Sequence, residues 1–168
     1  MVSPSCAQWL HSRPPANNAY IELIASRELL DAFRAAVLDS SVRGLIVGIE
    51  NEALVSKETL PSVGSFDEDL GQLDGLLMDN QPAYIILRRK DRDSHVAPFI
   101  CIAYVPDTAN VRQKMLFAST RNTLLRELGS DRFGESIFAT TKEELTAEGF
   151  KRHDAHLAKC IVPRNPMR

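Results

Sequence analysis

Apolar positions along this 168-residue chain switch between a helical spacing and the short, dense runs of strands, and each switch marks an element. Ser26 is placed to cap a helix carrying Leu29, Leu30, Phe33 and Val37 on one face, which ends near Asp39-Ser40-Ser41. Arg43 to Ile49 and Ala53 to Lys57, separated by the turn-like Glu50-Asn51-Glu52, predict a hairpin. Pro61 to Gly64 breaks the chain. Ser65-Phe66-Asp67-Glu68 then has the spacing of a capping box, with Leu70, Leu73, Leu76 and Leu77 continuing a helical stripe. Pro82 to Arg89 and Pro98 to Val105 read as neighbouring central strands joined by a charged, solvated turn around Lys90-Asp91-Arg92-Asp93. Glu135 to Thr140 predicts a last short strand, Thr141-x-x-Glu144 another capping box, and Thr146 to Leu157 a final helix with Lys151 and Arg152 on its surface. The order α-β-β-α-β-β-α-β-α predicts an α/β (α+β) fold, a mixed sheet sandwiched between helices on both faces.

The stretch after Pro106 departs from a simple amphipathic pattern. Asp107 or Thr108 is placed to cap a long helix that closes near Gly129. Phe117, Thr120, Leu124 and Leu128 form one stripe, the usual core-facing side. Val111, Met115 and Ala118 form a second stripe on the far side, edged by Arg112 and Lys114. Periodicity leaves two readings open: a helix buried on both sides, or a docking strip bordered by cations.

Composition narrows the function classes. One domain fits this length, and the apolar content suffices for a core without metal or disulfide staples. A formal net charge of -2 with both signs mixed gives no case for nucleic acid. Cys6, Cys101 and Cys160 are odd in number and widely separated, which points to a reducing compartment. Residues 1–24 lack the pattern of a secretory signal and read as a flexible leader, 25–157 as the domain, and 158–168 as a flexible tail. No run is long enough to span a bilayer as a helix. Phosphate-binding glycine loops and nucleophile elbows are absent. His153 and His156 lie three apart without further ligands and read as solvated surface residues, and Asp67, Glu68 and Asp69 suit the first turn of a helix. No catalytic residues, metal site or cofactor are expected.

Val105-Pro106-Asp107, the run Val111 to Arg121 with its Arg-x-Lys-Met core and following Ala118-Ser119-Thr120, Phe138 to Glu144 and Gly149-Phe150-Lys151 together resemble the actin-depolymerising-factor homology family. The likeness covers about Ala25 to Leu157 and is greatest to the first homology domain of the twinfilin group. It implies a cofilin-like fold, no enzymatic activity, and a monomeric module that holds one actin monomer, preferably ADP-loaded, with its long helix in a cleft between two actin subdomains. It places the contact on Val111, Arg112, Lys114, Met115, Ala118 and Ser119, with Lys151 and Arg152 as a secondary contact, in the cytoplasm at the actin cytoskeleton. Phosphoinositides are a further ligand of such proteins, although no charge cluster here marks a lipid pocket. Filament-binding relatives carry basic residues at the positions of Val96 and Pro98, so monomer sequestration is expected over severing. Twinfilins also carry a second homology domain and a capping-protein tail, for which these residues leave no room, so barbed-end capping is not expected.

Overall fold

The computed structural model describes residues 23–89 and 98–160, with side chains through 156. The chain runs β1 (Ile24–Ala25), α1 (Arg27–Leu38), β2 (Val42–Glu50), β3 (Ala53–Pro61), α2 (Phe66–Gly71), α3 (Leu73–Leu76), β4 (Ala83–Arg88), β5 (Phe99–Tyr104), α4 (Val111–Leu128), β6 (Phe133–Ala139) and α5 (Ala147–Cys160). Short 3-10 turns at Ser130–Arg132 and Lys142–Leu145 precede β6 and α5. The strands form one mixed sheet in the order β1-β3-β2-β4-β5-β6, with parallel pairs at its two ends and antiparallel pairs between.

Alternation along the strands builds two cores. On one face Val47, Tyr84, Ile86 and Cys101 meet Leu29 and Phe33 of α1 and Phe117, Leu124 and Leu128 of α4. On the other, Ile46, Ile85, Leu87, Ile102 and Tyr104 meet Leu70, Leu73 and Leu77 of the α2–α3 segment, Leu145 and Phe150. The predicted sandwich is therefore present. Each large side chain fully buried in these layers is worth about 1.5–3 kcal/mol. Burial also pushes the Cys101 thiol up to about 12, so it stays protonated and inert at neutral pH.

Local signals place most boundaries. Ser26 accepts from the Leu29 amide at 3.2 Å, as a cap should. The Ser65 box closes both ways, with Glu68 accepting from the Ser65 amide at 2.8 Å and the Ser65 hydroxyl from the Glu68 amide at 3.3 Å. Gly44 is paired with Leu87 between the antiparallel β2 and β4, and a side chain there would collide with the Ile86 carbonyl and the Leu87 side chain. Gly44→Ala must push two paired central strands apart, so its urea midpoint should fall by the equivalent of about 1–3 kcal/mol with an unchanged slope.

Several expectations need correction. The hairpin's second strand extends to Pro61 rather than ending at Lys57. The Leu70-to-Leu77 stripe is not one helix: it breaks at Gln72, where two glycines in five residues weaken the helix, and Leu76 comes out exposed. Asp69 stands in the first turn of α2 as read, but it is also fully buried, bonded to Arg43 Nε at 2.5 Å. The Thr141 box closes the 3-10 turn at Lys142–Leu145, and α5 starts only at Ala147. His153 is part-buried, its Nε2 3.0 Å from Glu135 Oε1. The two-residue β1 was not foreseen; it places Leu23 in the core and Ile24 in the sheet, inside the range read as leader. The rest of the leader, the Lys90–Asp93 turn, Val96 and Cys6 lie outside the described residues, as do the tail after Cys160 and that residue's side chain.

Candidate functional site

α4 carries the candidate surface, and its position follows from how it starts. The Ala109 amide bonds to the Pro106 carbonyl at 3.0 Å, closing a turn through residues 106–109. The helix therefore begins later than Asp107 or Thr108 would set it: Asn110 is the cap, its side chain accepting from the Arg112 amide at 2.9 Å. The two residues expected to cap it brace the turn instead. The Thr108 hydroxyl donates to the Asp79 carbonyl, and the Asp107 carbonyl accepts from Lys114 Nζ at 2.8 Å.

The inner side of α4 is fixed to the sheet. Phe117, Thr120, Leu124 and Leu128 are its buried residues, the stripe read from sequence. The Tyr84 hydroxyl donates to the Phe117 carbonyl, and the two rings stand 4.9 Å apart. Burial pushes the Tyr84 phenol well above its ordinary range, so this donor persists at every physiological pH. The Thr120 hydroxyl turns back to the Leu116 carbonyl at 2.5 Å and satisfies itself in the apolar layer.

The outer side is open. Val111 and Met115 are each 69% exposed, and Ala118 and Ser119 are exposed beside them. The Ser119 hydroxyl is occupied locally by the Leu116 carbonyl at 2.9 Å. Arg112 is exposed on one flank. Lys114, on the other, is half-buried, with the Asp107 carboxylate 3.7 Å from its ammonium. The six residues expected to share a surface thus lie on one, within the first half of an 18-residue helix about 27 Å long.

Electrostatically this end of the helix runs against its own stability. The first turn has no acidic residue, and Arg112 and Lys114 sit at the positive end of the macrodipole. Cations there cost about 0.3–1 kcal/mol each. Dipole and side chains add to a positive potential around an apolar strip, which suits an apolar cleft with an acidic edge. Sequence reasoning missed one neighbour. β1 touches α4, and its Ile24 is 66% exposed. A two-residue strand has no periodicity by which to find it.

Lys151 and Arg152 are exposed, but the structure does not bring them to α4: α5 packs through Phe150 on the opposite face of the sheet. There Phe150 meets Phe66 edge-on at 5.5 Å, a bidentate Arg89–Asp154 pair ties α5 to the end of β4, and Lys151 pairs with Asp67 at 3.3 Å. Pro98 is exposed and carries no charge. Among the described residues no group of three metal-ligating side chains occurs, and no helix is long and apolar enough to cross a membrane.

Comparison with known proteins agrees with this architecture. The model of the cofilin/tropomyosin-type actin-binding protein family matches residues 23–155. Twinfilin of Dictyostelium discoideum is 34% identical over 134 residues, covering 79% of this chain and 40% of that protein. The chain thus spans well under half the length of that curated relative. The solved structure of Eh twinfilin superposes with a TM-score of 0.73 at 27% identity, covering 80% of this chain and 99% of that one. The cofilin of Streptomyces griseoflavus shares the fold, with a TM-score of 0.65 at 16% identity over 79% of this chain and 98% of its own.

Proposed function

This chain belongs to the cofilin/tropomyosin-type actin-binding protein family, and from that premise we propose that it binds actin monomers one to one through the outer side of α4 and so sequesters them from assembly. The exposed pair Val111 and Met115 between two cations carries this reading. Met115, flexible and polarisable, fills the apolar floor of a cleft with Val111 beside it. Ala118 and Ser119 are small enough to let the partner approach the helix closely. Arg112 offers a planar fork of donors to a carboxylate on the rim, and Lys114 a point charge. Nothing in this arrangement makes or breaks bonds; the protein is a binding module, acting in the cytoplasm on the actin cytoskeleton, with a preference for ADP-loaded monomers.

The basic pair on α5 is the start of a filament-side surface, but uncharged Pro98 leaves its other half unbuilt. Monomer binding is therefore favoured over severing. Titration of fluorescently labelled ADP- and ATP-actin monomers tests the proposal, with saturation at one equivalent and tighter binding of the ADP form as the expected result. Sedimentation with filaments is its counterpart: robust severing would replace sequestration by a cofilin-like activity, and no binding to either monomer would remove actin as the partner.

A further inference from the structure

On the sheet face opposite α4, a groove of about 350 Å3 opens between the α2–α3 segment and the 3-10 turn that leads into α5. Its floor is Leu70, Leu73, Leu77 and Leu145. Leu76 at the end of α3 and Met78 just after it are 39% and 60% exposed. Gly71 and Gly75 sit in these helices without a conformational reason. Neither has a positive φ, and nothing lies within 4 Å of where a Cβ would stand. Each costs its short helix about 1 kcal/mol relative to alanine. Gly71 lines the groove, and its bare backbone leaves room there for an occupant to approach closely.

The charges around the groove say what kind of occupant fits. Asp67, Asp74, Asp79 and Glu143 surround it, against Lys142 and Lys151. Lys142 is already held between Asp74 and Asp79, its Nζ 2.8 Å from Asp79 Oδ1 and 3.1 Å from the Asp74 carbonyl, and Lys151 is paired with Asp67. The rim is therefore net acidic, with its two lysines already paired, and Glu143 exposed at the mouth. That is the reverse of the cation-bordered strip on α4. We propose that this groove is a second docking surface, separate from the α4 surface and independent of the actin reading, which takes an amphipathic segment of another protein with bulky apolar anchors and a basic flank. Helices present such anchors at i, i+3, i+4 and i+7.

The probe is a synthetic amphipathic peptide with leucine and phenylalanine at that spacing and lysine and arginine on its other face, compared with a twin in which every basic residue is glutamate. Backbone amide shifts of the full chain are followed by NMR. Saturable changes at Gly71, Leu73, Gly75 and Leu145 are expected with the basic peptide, and binding about tenfold or more weaker with its acidic twin. Gly71→Leu fills the open space and should abolish those changes, while the rest of the spectrum and the titration with actin monomers stay as in the parent. Glu143→Lys should weaken the peptide about tenfold without altering the fold. The proposal is overturned by equal binding of both peptides, by shifts that survive Gly71→Leu, or by no saturable shift at these amides. Self-association lost in Gly71→Leu, without peptide binding, would equally overturn it and give the groove to a second copy of this chain.

Discussion

Replacing Arg112 and Lys114 together by alanine should abolish the proposed tight binding of actin monomers and leave the domain folded. The two side chains flank the exposed Val111–Met115 strip and make no contact that holds a core. What they lose is the charged border of the proposed interface, for which a drop of about 100-fold in affinity, roughly 3 kcal/mol, is the expected scale. Stability should move the other way. Removing two cations from the positive end of α4 relieves about 0.3–1 kcal/mol apiece, against which stand the Lys114 bond to the Asp107 carbonyl at 2.8 Å and its 3.7 Å approach to the Asp107 carboxylate, both made at the surface. The melting temperature should therefore hold or rise while binding disappears. Salt gives an independent reading: the parent's affinity should fall with ionic strength, and the residual affinity of the double variant should barely respond. Equal affinities for parent and variant would remove the outer side of α4 as the binding surface.

Asp69→Ala should cost about 3–5 kcal/mol, the scale of a buried ion pair broken from one side. Asp69 and Arg43 are both buried, and their contact joins α2 to β2. The other carboxylate oxygen accepts from the amides of Val63 at 3.0 Å and Gly64 at 3.2 Å, so it also holds the chain break that leads into α2. Asp69→Asn keeps an acceptor for those amides and should cost less than alanine. Replacing both partners by apolar residues of similar volume should recover much of the loss, because no charge is then stranded.

The same pair sets a pH dependence. Burial pushes the Asp69 carboxyl up, but the Val63 amide, the Arg43 guanidinium and the Gly64 amide outweigh it and hold the group below its ordinary value. A folded pKa beneath the unfolded one means that the stabilisation is complete above about pH 4 and is lost as pH falls further, towards the folded value. Urea midpoints measured from neutral pH down to pH 3 should therefore drop more steeply in the parent than in Asp69→Asn. Parallel curves would show that some other carboxylate governs acid unfolding.

How much of this was legible depends on how far apart in the chain the interacting groups lie. The Ser26 cap and the Ser65–Glu68 box involve partners three residues apart, and both formed as read. The inner stripe of α4 was equally visible, since a helical period reports which residues share a face. Asp69 took its place in the first turn of α2, but its burial against Arg43 was not legible, because that partner is 26 residues away and a carboxylate near a helix start already has a local explanation. The pairing of His153 with Glu135 spans 18 residues and escaped for the same reason. β1 was invisible because two residues have no period, and its pairing with Ala53 and Leu54 arises only once the hairpin exists. The start of α4 shifted because residues 106–109 closed a turn of their own, a competition between local options that types of residue alone do not decide.

By itself, then, the sequence determined the sandwich of helices on a mixed sheet, the family, and the presence on α4 of two apolar stripes with cations beside the second. Local hydrogen bonds and periodic burial are encoded within a few residues, and that information is carried along the chain. Whether the second stripe was covered could not be read there, because a helix records only that a face is apolar and not what stands opposite it. The tertiary structure decided it: α4 packs on the sheet by one side alone, and among the described residues no layer lies over Val111 and Met115, which are left 69% exposed.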